Sequence, residues 1–84
     1  MIRDVLEREI RKLVGRLKEE PELAMVLKAR LTKREYKLLQ GMAEGVSKEA
    51  TLQSMKLDED TYVAIHTKLI KKLNQEKLKQ ELTD

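Results

Sequence analysis

Leu31-Thr32-Lys33-Arg34-Glu35-Tyr36-Lys37-Leu38-Leu39, read on through Gly45-Val46-Ser47 and Leu57-Asp58-Glu59-Asp60 to Leu73, decides the fold of this chain. It holds three helix starts at short intervals. Thr32 with Glu35 three positions later forms a capping box, in which the hydroxyl accepts an N–H of the first turn and the carboxylate returns to the N–H of the cap. Leu31 before the cap and Tyr36 behind it suit a hydrophobic staple. The helix continues through Leu38, Leu39 and Met42 and stops at Gly45, a residue fitted to a left-handed helix end. Ser47 caps a second helix, about 48–56, with Leu52 and Met55 inward. Leu57 lies in the turn, and Asp58 caps a third helix with Glu59 and Asp60 in its first turn. Tyr62, Ile65, Leu69 and Leu73 share one face of that helix, which the pattern carries on through Leu78.

Outward from this block, the N-terminal segment repeats apolar residues at three- and four-residue steps: Ile2, Val5, Leu6, Ile10, Leu13, Val14 and Leu17. That spacing predicts one amphipathic helix over 2–18. Gly15 inside it costs about 1 kcal/mol of helix propensity. Glu19-Glu20-Pro21-Glu22 ends the stripe, and Pro21 suits the first turn of a new helix to about Arg30. Leu23, Val26 and Leu27 face inward there, with Met25 a further inward candidate. The tail beyond Leu82 is expected to fray. The expectation is an all-α chain of about five helices in one domain: 1–30 for packing or dimerisation, 31–75 a C-terminal tri-helical unit, 76–84 the helix end and tail.

Composition narrows the function classes. The chain has 84 residues, 40% of them hydrophobic and 39% charged, a balance that fits amphipathic helices better than a disordered chain. With no Cys, a single His and no Phe or Trp, disulfide chemistry and a Cys/His zinc site are excluded, and the core must come from Leu, Ile, Val, Met and two Tyr. There is no apolar run of about 18 residues and no apolar signal-peptide block, so a cytosolic protein is expected. No glycine-rich phosphate loop, Ser/His/Asp arrangement or close carboxylate pair is present. The reading is of a non-enzyme without cofactor or metal. Net charge is only +3, but Lys68, Lys71, Lys72, Lys77 and Lys79 fall within twelve residues against Glu76 alone.

The ordered set Leu31-Thr32-x-Arg34-Glu35, Leu38-Leu39, Ala43-Glu44-Gly45-Val46-Ser47, Leu57, Thr61 and Leu69-x-x-Lys72-Leu73 resembles the helix-turn-helix of LuxR/GerE-type regulators. It is similar also to region 4 of sigma-70 factors, with His66 through Leu73 matching the end of the recognition helix. The resemblance covers about half the chain. It implies that the first two helices of the block form a support and that the third enters the DNA major groove. Asp60, Val63, Ala64, Thr67, Lys68 and Lys71 would then face DNA, and the chain would act as a small transcription regulator.

Thr67, Lys68, Lys71 and Lys72 are the leading DNA contacts, with His66 from the sigma-like match and Lys33 and Arg34 as backbone anchors. Each has a plainer reading. Lysines late in a helix also suit its dipole on a solvated face, a lone His is commonly a surface residue, and Arg34 has Glu44 or Glu49 as intramolecular partners. Two features oppose DNA: the acidic Asp58-Glu59-Asp60 turn repels phosphates, and aliphatic Val63 and Ala64 replace side chains able to hydrogen-bond base edges. They favour the alternative, a helix-turn-helix scaffold reused to bind a protein such as RNA polymerase or another regulator. The stripe Ile2–Leu17 serves either as core or as a homodimer seam.

Overall fold

The computed structural model describes residues 1–13 and 15–83; Val14, counted in the N-terminal stripe, and Asp84 lie outside the described residues. Six helices follow in order: α1 (Ile2–Glu9), α2 (Glu20–Arg30), α3 (Lys33–Glu44), α4 (Lys48–Met55), α5 (Glu59–Leu73) and α6 (Glu76–Leu82). The chain is thus all-α, with six helices rather than about five. Among the described residues there is no strand, and the single β-type pairing is an antiparallel bridge between Leu17 and Thr83. No helix among them is long and apolar enough to cross a membrane.

The local signals of the central block act as their chemistry dictates. The Thr32 N–H donates to Glu35 Oε1 at 2.9 Å and the Glu35 N–H to Thr32 Oγ1 at 3.2 Å, both halves of the capping box. Gly45 takes φ 76°, the left-handed region, and its N–H closes the end of α3. Ser47 Oγ accepts from the Ala50 N–H at 3.2 Å, and Asp58 Oδ1 from the Thr61 N–H at 2.7 Å. Pro21 sits in the first turn of α2. A carboxylate from the neighbouring helix completes α1: Glu20 accepts from the Ile2 and Arg3 N–H groups at 2.9 and 3.2 Å.

The N-terminal helix is half the predicted length. It ends at Glu9, and Ile10 turns extended at φ −86°, ψ 121°. Residues 10–13 and 15–19 then belong to no helix and form a strap. Tertiary bonds outweigh the helical pattern here. The Arg11 N–H donates to Asn74 Oδ1 at 2.9 Å, Asn74 Nδ2 donates to the Glu9 carbonyl at 3.2 Å, and the Lys18 N–H donates to the Leu82 carbonyl at 2.9 Å. Ile10 and Leu17 still reach the core, each 5% exposed. Burial of each contributes about 2 kcal/mol, more than the helix propensity forgone around Gly15.

The last helix also divides. α5 stops at Leu73 and α6 begins at Glu76. Leu78 lies five residues past Leu73, about 140° round a helix from the Leu69–Leu73 stripe at 100° per residue. A continuous helix would carry Leu78 and Leu82 away from the core. The turn at Asn74 brings α6 back against α2, with Leu78 and Leu82 buried. Arg30 of α2 pairs with Glu81 of α6, its Nε 2.7 Å from Oε2. The expected fraying beyond Leu82 gives way at Thr83 to the bridge with Leu17.

Most of the described residues of the stripe Ile2–Leu17 contribute to the core of the chain. Val5, Leu6, Ile10 and Leu17 are buried, and Ile2 and Leu13 pack on them half-buried. α3 is the hub, packed on α1, α2, α4 and α5. α4 is the poorest contributor. Its one buried residue is Thr51, while Leu52 and Met55, expected inward, are half-buried and outside the core cluster. It packs chiefly on α3, which leaves it too few neighbours to enclose both. On α2, Met25 is solvent-exposed, so Leu23 and Leu27 carry its packing.

Candidate nucleic-acid interface

α5 divides lengthwise. Leu69 and Leu73 are buried, and Tyr62 and Ile65 pack half-buried on the core. The opposite face presents Asp60, Val63, Ala64, Thr67, Lys68 and Lys71, all exposed. The face expected to point away from the core does so along the whole helix. Thr67, Lys68 and Lys71 therefore form a continuous polar and basic edge on its C-terminal half. Among the described residues no ion pair engages Lys68 or Lys71.

The lysine cluster does not act as one. Lys72 Nζ lies 2.7 Å from Glu35 Oε1, whose side chain is 4% exposed. Lys72 thereby leaves the set of surface cations and becomes an internal brace between α5 and the capping box of α3. Its position explains this: Lys72 precedes Leu73 of the inward stripe and sits on the shoulder of the helix that faces α3. Burial pushes the Glu35 carboxyl up, but Lys72 and the Thr32 N–H and hydroxyl outweigh it and hold the group below its ordinary value. Lys79 is likewise occupied, with Nζ 2.9 Å from Glu76 and 3.4 Å from the Lys12 carbonyl.

His66 is half-buried and stacks on Tyr62, ring centroids 6.0 Å apart and planes 14° from parallel. Lys33 and Arg34 are exposed at the start of α3. The pairing of Arg34 with Glu44 or Glu49 does not form among the described residues.

One acid of the turn, Glu59, is paired with a cation, while Asp58 serves as a charged cap. Asp58 caps α5, and hydrogen bonding from Thr61, through its side chain first and then its N–H, holds the carboxyl below the ordinary value. Glu59 lies 2.9 Å from Lys48 Nζ, and that contact raises the Lys48 ammonium. Only Asp60 of the three lacks a protein partner among the described residues.

A groove of about 750 Å³ runs between the strap and the C-terminal half of α5. Arg11 and Lys12 of the strap and His66, Thr67, Ile70 and Lys71 of α5 line it, together with Glu9, Asn74 and Lys79. Asn74 fixes this geometry, since its amide holds both the last carbonyl of α1 and the Arg11 N–H of the strap. Glu9, the one carboxylate in the lining, pairs with Arg8 at 3.2 Å.

No family model, curated protein or solved structure matches the chain. The structure thus brings Thr67, Lys68 and Lys71 to one edge, puts His66 beside them, keeps Lys33 and Arg34 apart on α3, and turns Lys72 inward. Sequence reasoning missed Arg11, Lys12 and Asn74. The first two were hidden by the unbroken apolar stripe. The third had a signal, an Asn interrupting the run at the point where the stripe changes phase.

Proposed function

We propose that this chain is a small DNA-binding protein that acts on transcription, with α3 and α4 as support and α5 entering the major groove. The observation that carries this reading is the exposed, unpaired edge of Thr67, Lys68 and Lys71 on the face of α5 turned away from the core. Lysines there contact phosphates, and Thr67 reaches either a phosphate or a base edge. The pairing of Glu59 with Lys48 offsets one of the three charges of the acidic turn. The test is a salt titration of binding to a pool of short duplexes. Binding should weaken steeply as salt rises, because lysines displace counterions, and Lys68→Ala/Lys71→Ala should abolish it. A wild-type chain that binds no duplex at low salt overturns the reading.

One observation favours a second reading, a protein-interaction module. Val63 is 54% exposed and Val46 41% exposed, and Leu52, Met55 and Leu57 are only half-buried. Exposed aliphatic side chains suit a protein surface better than a polyanion. Val63→Asp separates the two: it disrupts capture of a protein partner, while DNA binding carried by Lys68 and Lys71 loses only what one added charge costs.

A further inference from the structure

We infer that the strap is a second phosphate-binding element, a clamp for the DNA backbone beside α5 made by Arg11 and Lys12; this rests on the DNA-binding reading. Three observations carry it. Arg11 and Lys12 are exposed and line the same groove as Thr67 and Lys71 of the DNA-facing edge, so both elements present donors to one channel. Neither is drawn into an ion pair among the described residues, and the nearest carboxylate of the groove, Glu9, is already matched by Arg8. The backbone beneath them is fixed: the Arg11 N–H is held by Asn74 Oδ1 at 2.9 Å, and the Lys12 carbonyl accepts from the buried Lys79 at 3.4 Å. Cations on an anchored segment bind at a lower ordering cost than cations on a loose tail.

The shape of the channel selects the ligand class. It is open, with Arg11 and Lys12 from the strap and Lys71 from α5 in its lining, so it suits a DNA backbone passing over it rather than enclosing one small anion. The bases play no part in such a contact, and the strap therefore adds affinity and orientation without sequence preference. A helix seated in the major groove has a phosphate backbone on either side. The strap lies beside the C-terminal half of α5, where it meets one of them. Lysines 68 and 71 sit on the helix itself, so the strap extends the footprint to phosphates the helix does not reach.

The experiment compares wild type, Arg11→Ala/Lys12→Ala and Lys28→Ala/Lys77→Ala by fluorescence anisotropy on several duplexes over a range of KCl. The third chain removes the same charge from exposed positions outside the groove. Arg11→Ala/Lys12→Ala should reduce the slope of log affinity against log salt by about 1.8, since each phosphate contact contributes about 0.9. The ranking of the duplexes should stay unchanged, and the control pair should keep the wild-type slope. Far-UV circular dichroism checks that both variants remain helical, as expected for exposed side chains. A wild-type slope in Arg11→Ala/Lys12→Ala, or an equal loss in the control pair, overturns the clamp while leaving DNA binding by α5 standing. A wild-type chain that binds no duplex overturns both.

Discussion

The Lys72 ammonium lies 2.7 Å from the Glu35 carboxylate, which itself closes the capping box of α3. One carboxylate thus joins the start of one helix to the flank of another. Glu35 is 4% exposed at its side chain and Lys72 33%. Removing the cation strands a buried charge, whereas removing the carboxylate leaves a cation already in reach of water. Lys72→Met should therefore cost about 2 kcal/mol, less than the full penalty of a broken buried pair because Lys72 is partly solvated. Glu35→Gln/Lys72→Met should recover part of that loss, since Gln preserves the capping box. Urea unfolding of the three variants measures the coupling. A double variant no more stable than Lys72→Met alone refutes the brace.

The same pair sets an acid limit. Glu35 is held below its ordinary 4.5 in the folded chain, so the unfolded chain takes up that proton first. The stability it contributes is complete above about pH 4.5 and is lost as pH falls through the lowered folded value. Glu81, lowered by its bond from Arg30, and Asp58, lowered by Thr61, act with the same sign. The melting temperature should change little for these groups between pH 7 and 5 and fall below pH 4.5. Glu35→Gln should show a shallower acid decline, and an unchanged decline would remove Glu35 from the account.

Asn74 is the staple of the strap, with bonds to Arg11, the Glu9 carbonyl and the Ile70 carbonyl. Asn74→Ala should cost about 1–2 kcal/mol, and the loss should be local. Hydrogen exchange at the Arg11 amide should rise about tenfold, which corresponds to about 1.4 kcal/mol. The amide of Leu39, buried in α3, should follow only the change in global stability. Equal acceleration at both amides would mean that Asn74 supports the whole fold and not the strap.

The parts of the fold legible in the sequence are those governed by neighbours in the chain. Thr32 with Glu35, Gly45, Ser47 and Asp58 act within three or four residues of themselves, and each became the cap or stop its chemistry predicts. The exposed edge of α5 followed from periodicity in the same way. What was not legible depends on residues far apart. Asn74 ends α1 across a separation of 65 residues, and Lys72 finds Glu35 across 37. Periodicity alone extends the stripe past Ile10, because it records which side chains are apolar and not which backbone groups a distant amide will capture. Arg11 and Lys12 were invisible as site residues for that reason: on a continuous helix they occupy its solvent face, and only the strap brings them to α5.

Asp60 gives the sharpest test of how α5 meets a polyanion. Asp58 is occupied as the cap and Glu59 by Lys48, so Asp60 is the acid of the first turn whose charge stands unmatched among the described residues. If α5 lies in the major groove, that carboxylate is within the ~10 Å screening length of phosphates at 0.1 M salt, and it opposes binding. Asp60→Asn should tighten binding about threefold at 0.1 M salt, with the gain shrinking at higher salt. Asn keeps a polar side chain in the first turn of α5, so the helix start is disturbed little. Anisotropy on the best-binding duplex measures the change. Unaltered or weaker affinity would place the first turn of α5 away from the DNA and confine contact to the end that carries Thr67, Lys68 and Lys71.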